Sequence, residues 1–166
     1  MYSRFTIKAR LSAVEAQRIL ETLVQPRRFV LKSDPAARDL RPFAGHIEGA
    51  SFKIQRVISG RNSFLPVIVG RVAAEEGGAA IRGHMRLAIP VAIVMSVWMG
   101  VTLAAAVRDA NAVIAAHTLT NGSAIVLLPL FGVVLIAVGY YPERRKALRL
   151  LLDAFADRGV AASRHE

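Results

Sequence analysis

The sequence predicts an α+β protein carrying a membrane-spanning appendage. In outline this is a small antiparallel sheet with one packed helix, followed by a two-helix transmembrane hairpin and a C-terminal amphipathic helix. Three observations predict it. Before residue 87, apolar side chains recur at a period of two in several short runs, interrupted once by a run at helical spacing. From Leu87 to Tyr141, 55 residues hold two charges, the adjacent Arg108 and Asp109. Beyond them Leu148, Leu151, Leu152 and Phe155 fall at i, i+3, i+4 and i+7.

Residues 1–86 form the first expected domain. In Ser3–Leu11, Phe5, Ile7, Ala9 and Leu11 alternate with Arg4, Thr6, Lys8 and Arg10, the pattern of a half-buried strand. Ser12 and Glu15 stand at capping-box spacing, and Val14, Leu20, Leu23 and Val24 support a helix that closes before Pro26. Arg27–Lys32 reads as a short strand and Ser33–Pro42, with two prolines and scattered charges, as a loop. Phe43, Gly45 and Ile47 share a face, Gly49-Ala50 turns the chain, and Phe52 and Ile54 resume the face. After a turn at Ser59–Asn62, Phe64–Ala74 reads as an apolar strand in which Pro66 points to an edge or a bulge. Glu75–Gly78 turns again. Ala79, Ile81, Gly83 and Met85 then alternate with Arg82, His84 and Arg86 in a last strand that leads into the apolar region.

That region, 87–141, contains two uncharged stretches, 87–107 and 123–141. As helices they would be about 31 and 28 Å long, the thickness of a bilayer core. Arg82, His84 and Arg86 precede the first span, and Arg144, Arg145, Lys146 and Arg149 follow the second. The loop Arg108–Gly122 has one Arg offset by one Asp. The positive-inside rule then places both termini in the cytoplasm. Neither span reads as a signal peptide, because MYSRFTIKAR lacks a continuous apolar core. Ser96, Gly100 and Ala104 make a small-residue seam on the first span, and Gly132 and Gly139 share a face of the second. The seam fits closure of the hairpin or a contact between copies of the chain. Trp98, near mid-span, calls for an indole partner or packing on the neighbouring helix. Residues 142–166 comprise an amphipathic helix, 143–158, and a tail. The helix could cover the sheet, lie on the bilayer or meet a partner.

Segregation along the chain explains a net charge of +10 beside a mean hydropathy of +0.40. Residues 1–86 hold 15 Lys and Arg against 7 Asp and Glu, and the apolar stretch is neutral. With no cysteine, disulfides, thiolate metal sites and cysteine nucleophiles are excluded. No Asp, Glu, Lys, Arg or His lies within either uncharged span, which argues against a proton relay, ion path or charged substrate site there.

The patterns G-x-I-x-G-x-x-F-K-I-x-R-x-I at Gly45–Ile58 and R-N-S-F-L-P-V-I-x-G at Arg61–Gly70 give residues 43–100 a resemblance. This part of the chain resembles small uncharacterised bacterial membrane proteins in which a β-rich cytoplasmic domain precedes a terminal hydrophobic hairpin. The resemblance implies that architecture and no reaction.

Chemistry-bearing patterns are sparse. His46, His84, His117 and His165 are dispersed, and no phosphate loop, nucleophile elbow, dinucleotide fingerprint or metal-ligand spacing occurs. No cofactor, metal or catalytic residue is expected. Two constellations stand out. Arg61-Asn62-Ser63 is either an ordinary polar turn or a ligand-binding one. The basic cluster Arg82, His84, Arg86, Arg144, Arg145 and Lys146 is either the orientation signal alone or a grip on anionic head groups. Nucleic acid is disfavoured because no module or aromatic platform accompanies the charge. The expected protein is a non-enzymatic bacterial inner-membrane accessory or scaffold that binds a partner through its basic cytoplasmic domain. An anionic phospholipid-binding domain is the alternative, and an enzyme with an unrecognised site a weaker one.

Overall fold

The computed structural model describes residues 2–26, 41–116 and 127–156. The expected strand Arg27–Lys32, residues 33–40 of the expected loop, residues 117–126 of the connection and second span, and the tail from 157 onward lie outside the described residues. So do His117 and His165. The chain is α+β. In order it forms β1 (Tyr2–Ala9), α1 (Ala13–Leu23), β2 (Val24–Pro26), β3 (Phe43–Glu48), β4 (Ser51–Arg56), β5 (Val67–Glu75), β6 (Gly78–Arg86), α2 (Ile89–Ala116) and α3 (Leu127–Ala156).

The six strands make one sheet in the order β1-β6-β5-β4-β3-β2. β2 pairs with β3 in parallel and every other neighbour pair is antiparallel. The expected small antiparallel sheet is therefore corrected to a larger, mixed one. Helix α1 is the reason: it carries the chain from one edge of the sheet to the other, and strands joined by such a crossover run the same way. Ser12 caps α1 as its spacing predicts, its Oγ accepting from Glu15 N at 3.2 Å while Glu15 Oε2 accepts from Ser12 N at 2.8 Å. The buried face of α1 is Ala16, Ile19 and Leu20; Val14, expected there, is exposed. β5 begins at Val67, not Phe64, and is a central strand. Pro66 has no N–H to give the ladder, so pairing starts one residue later.

One face of the sheet is the core. Phe5, Gly83, Gly70 and Phe52 lie in one row across β1, β6, β5 and β4. The rings of Phe5 and Phe52 fold over the glycines of the two strands between them. A Cβ at Gly83 would stand 2.7 Å from the Phe5 ring, and one at Gly70 2.5 Å from that of Phe52. Ile7, Ile54, Ile68, Val72, Ile81 and Met85 extend this face. Two helices cover it: α1, and the second half of α3 through Ala147, Leu151 and Phe155, flanked by half-buried Leu148 and Leu152.

The expected second span and the expected amphipathic helix are thus one continuous helix, α3, which ends among the described residues at Ala156. It runs through Pro142, whose ring opens the turn behind it and whose missing N–H removes one helical donor. Next to the Val138 carbonyl that this leaves without its helical donor, the Gly139 carbonyl accepts from Asn62 Nδ2 at 3.0 Å. α2 also exceeds expectation, continuing through Arg108 and Asp109 to Ala116, because that alanine-rich stretch contains neither Gly nor Pro to stop it. Ile89–Asn111 of α2 and Leu127–Ala156, the whole of α3, are long and apolar enough to cross a membrane. Their side chains are largely exposed, among them Val94, Val101, Leu130 and Val138. An exposed apolar surface of this length marks a contact with a membrane or with another protein.

Candidate functional site: the open face of the sheet

Side chains alternate along a strand, so the rows between the core rows point to the other face. No described helix covers that face. Strand register sets Arg4, His84, Val69, Lys53 and His46 in one row, and Thr6, Arg82, Arg71, Ser51 and Glu48 in the next. The two rows line a shallow open basin of about 770 Å3. Lys8 and Arg86 stand on the same face beyond the rows. Six cations, Arg4, Lys8, Lys53, Arg71, Arg82 and Arg86, face two carboxylates, Glu48 and Glu75, on the strands' outer positions.

Both carboxylates are engaged. Glu75 pairs with Arg82, and Glu48 lies 2.9 Å from His46 Nε2. Tyr2 stacks on His84 with ring centroids 4.8 Å apart, and the Arg4 guanidinium lies 5.6 Å from the Tyr2 ring centre. Arg71 and Arg82 stand directly opposite each other on β5 and β6. Like charges so placed oppose the pairing of their strands.

The predicted basic cluster is divided by this arrangement. Arg82, His84 and Arg86 project from β6 on the open face. Arg144, Arg145 and Lys146 belong to α3, which packs on the opposite face, where Arg145 and Lys146 are exposed. A single surface of all six is corrected to two surfaces on opposite sides of the sheet. Arg4, Lys53 and Arg71 were not singled out by sequence reasoning. The period of two already put Arg4 on the polar side of its strand, but only the strand order and register bring all three beside β6.

The turn Arg61-Asn62-Ser63 has a structural task. Asn62 Oδ1 accepts from Phe64 N at 2.9 Å while its Nδ2 holds the Gly139 carbonyl, and Arg61 and Ser63 are exposed. Phe64 packs onto Gly139, where a Cβ would stand 2.8 Å from its ring. Nearby, the buried Tyr140 donates its hydroxyl to the Met85 carbonyl at 3.1 Å, and Glu143 accepts from Arg56. Three neighbouring positions on α3, Gly139, Tyr140 and Glu143, thereby dock onto the turn, the end of β6 and the end of β4.

Of the small-residue seam, Gly132 lies at the contact between α2 and α3, and the α2 stripe does not. Ser96, Gly100 and Ala104 are exposed, and a Cβ on Gly100 would meet nothing within 4 Å. α2 meets α3 through the neighbouring stripe, with Trp98 and Met99 against Gly132 and with Thr102 and Ala106 buried. The bulk of Trp98 needs the missing Cβ of Gly132, so the contact turns α2 toward its large residues. Thr102 Oγ1 donates back to the Trp98 carbonyl at 2.9 Å. Gly139, the other expected seam residue of α3, faces Phe64 of the sheet domain.

Among the described residues, no group of three or more His, Asp or Glu is placed to hold a metal ion. No family model matches the chain, and neither the curated proteins nor the solved structures contain a match to it.

Proposed function

We propose that the chain is a two-span integral protein of a bacterial inner membrane with both termini in the cytoplasm. In this reading it performs no catalysis and serves as an accessory or scaffold subunit, presenting the open sheet face to a partner protein. The spans are supported by the length and apolarity of α2 and α3 and by the exposed apolar side chains of α2 and of the first half of α3. The binding role rests on one observation above all. α1 and α3 seal one face of the sheet, and the other carries six cations against two carboxylates. A face that no described helix covers, with that imbalance, suits an anionic partner.

Purification in mild detergent followed by mass spectrometry tests the reading. A protein should co-purify with the wild-type chain and be lost from the Lys53→Glu/Arg71→Glu double variant; equal recovery with both would contradict it. Arg145 and Lys146, exposed within about one to one and a half turns of Tyr141 at the end of the uncharged stretch, favour a second reading in which the chain also grips anionic head groups. Lipid analysis of the same preparations, with Arg145→Glu/Lys146→Glu added, reads that out as loss of co-purifying anionic lipid.

A further inference from the structure

We propose that the open face takes an extended acidic peptide segment of about five residues, laid across β1, β6, β5 and β4. This rests on the partner-binding reading above and names the element recognised. Each of these four consecutive strands offers one cation to the basin: Arg4, Arg82, Arg71 and Lys53. Arg4 and Lys53 stand in one row, Arg82 and Arg71 in the next, so a chain lying between the rows meets a cation on every strand.

The dimensions agree. Neighbouring strands are about 4.8 Å apart, so the four cations span about 14 Å, the reach of about five extended residues at about 3.3 Å each. Carboxylates on alternate residues would fall about 6.6 Å apart, within the compass of flexible Arg and Lys side chains. Cations spread along a line suit such a chain better than one compact anion, which would engage Arg71 and Arg82 and leave Arg4 and Lys53 idle. The far end is marked by Glu48 on β3, whose exposed carboxylate repels an acidic segment that runs further. At the near end Tyr2, stacked on His84, holds Arg4 in place.

The face is also built at a cost that a bound anion relieves. Arg71 and Arg82 oppose each other across the strands. Glu75 pairs with Arg82, whereas Arg71 and Lys53 have no carboxylate partner among the described residues. An acidic chain supplies the missing charges.

The test uses the full chain in nanodiscs of zwitterionic lipid and fluorescein-labelled hexaglutamate, followed by anisotropy. Hexaglutamate is a fitting probe because its like charges keep it extended. Saturable binding that weakens with added salt is expected. Lys53→Glu/Arg71→Glu should weaken it at least tenfold, while Arg145→Glu/Lys146→Glu, on the opposite side of the sheet, should change it less than twofold. Arg71→Gln, which removes one of the opposed charges, should melt no lower than the wild-type chain while still weakening the probe. Failure of hexaglutamate to saturate, or equal weakening by the α3 variant, would overturn the proposal. Should tripolyphosphate saturate where hexaglutamate does not, the peptide assignment falls and the basic-face reading stands. If neither anion binds and partner co-purification survives Lys53→Glu/Arg71→Glu, both fall.

Discussion

Arg56 donates from Nε and Nη2 to one carboxylate oxygen of Glu143, at 2.8 and 2.5 Å, joining the last residue of β4 to α3 87 residues later. The two side chains are 19% and 13% exposed, so the pair is largely withdrawn from water. Lys146 reaches the other oxygen of Glu143 at 3.4 Å. Removing one partner leaves the other charge buried and unmatched. Glu143→Ala should therefore cost about 2 kcal/mol. Thermal unfolding of the detergent-solubilised chain measures it, and a charge-swapped Arg56→Glu/Glu143→Arg variant should recover part of the loss.

Asn62 separates a structural turn from a ligand-binding one. Asn62→Ala forfeits the bonds to the Gly139 carbonyl and the Phe64 amide and should lower stability by about 2 kcal/mol. Arg61→Ala and Ser63→Ala, at exposed positions, should lie within about 0.5 kcal/mol of wild type. Melting curves of the three variants decide it; equal losses at all three would refute this account of the turn.

Trp98, the chain's one tryptophan, reports on the contact between α2 and α3. Its ring would lie 2.3 Å from a Cβ at Gly132. Gly132→Leu should push the helices apart, shift the emission of Trp98 and increase its quenching by brominated acyl chains. Gly100→Leu, at a position with open space around it, should leave both unchanged.

How far the sequence disclosed this molecule follows from the range of each interaction. Periodicity and capping are local, so Phe5, Ile7, Phe52, Ile54, Ile81 and the Ser12–Glu15 box could be assigned from neighbouring residues alone. Strand order is not local. The crossover that takes β2 to the far edge, and the register that lines up Arg4, Arg71, Arg82 and Lys53, depend on residues tens of positions apart. That the α2 stripe does not close the hairpin has a related reason. Small-residue spacing identifies a face able to pack closely, but the large Trp98 opposite Gly132 decided which face does. Likewise the second span and the amphipathic helix read as separate elements, because apolarity stops at Tyr141 and the charges begin at Glu143, whereas the backbone of α3 runs through both.

The capping box makes stability depend on pH in a defined direction. Bonds from the Ser12 hydroxyl and amide hold the Glu15 carboxyl below its usual range. The contribution of a group so lowered is complete above its unfolded pKa, about 4.3, and is lost as pH falls through the folded value. The stability advantage of the wild-type chain over Glu15→Gln should therefore shrink between pH 6 and about pH 3 and stay constant above pH 6. Paired melting curves check it, and an advantage that grew on acidification would have the wrong sign.

The chain's lack of cysteine permits the most direct test of the central claim, that two apolar helices cross a membrane and leave the sheet domain on the cytoplasmic side. Asn111, an exposed residue of α2, lies about 33 Å along the helix from Ile89, beyond the bilayer core. Single-cysteine variants at Asn111 and Lys53 would be exposed to a membrane-impermeant maleimide in bacterial cells with a permeable outer membrane and an intact inner one. The account predicts labelling of Asn111→Cys in those cells and of Lys53→Cys only after lysis. Labelling of Lys53→Cys before lysis, or shielding of both residues until lysis, would contradict it.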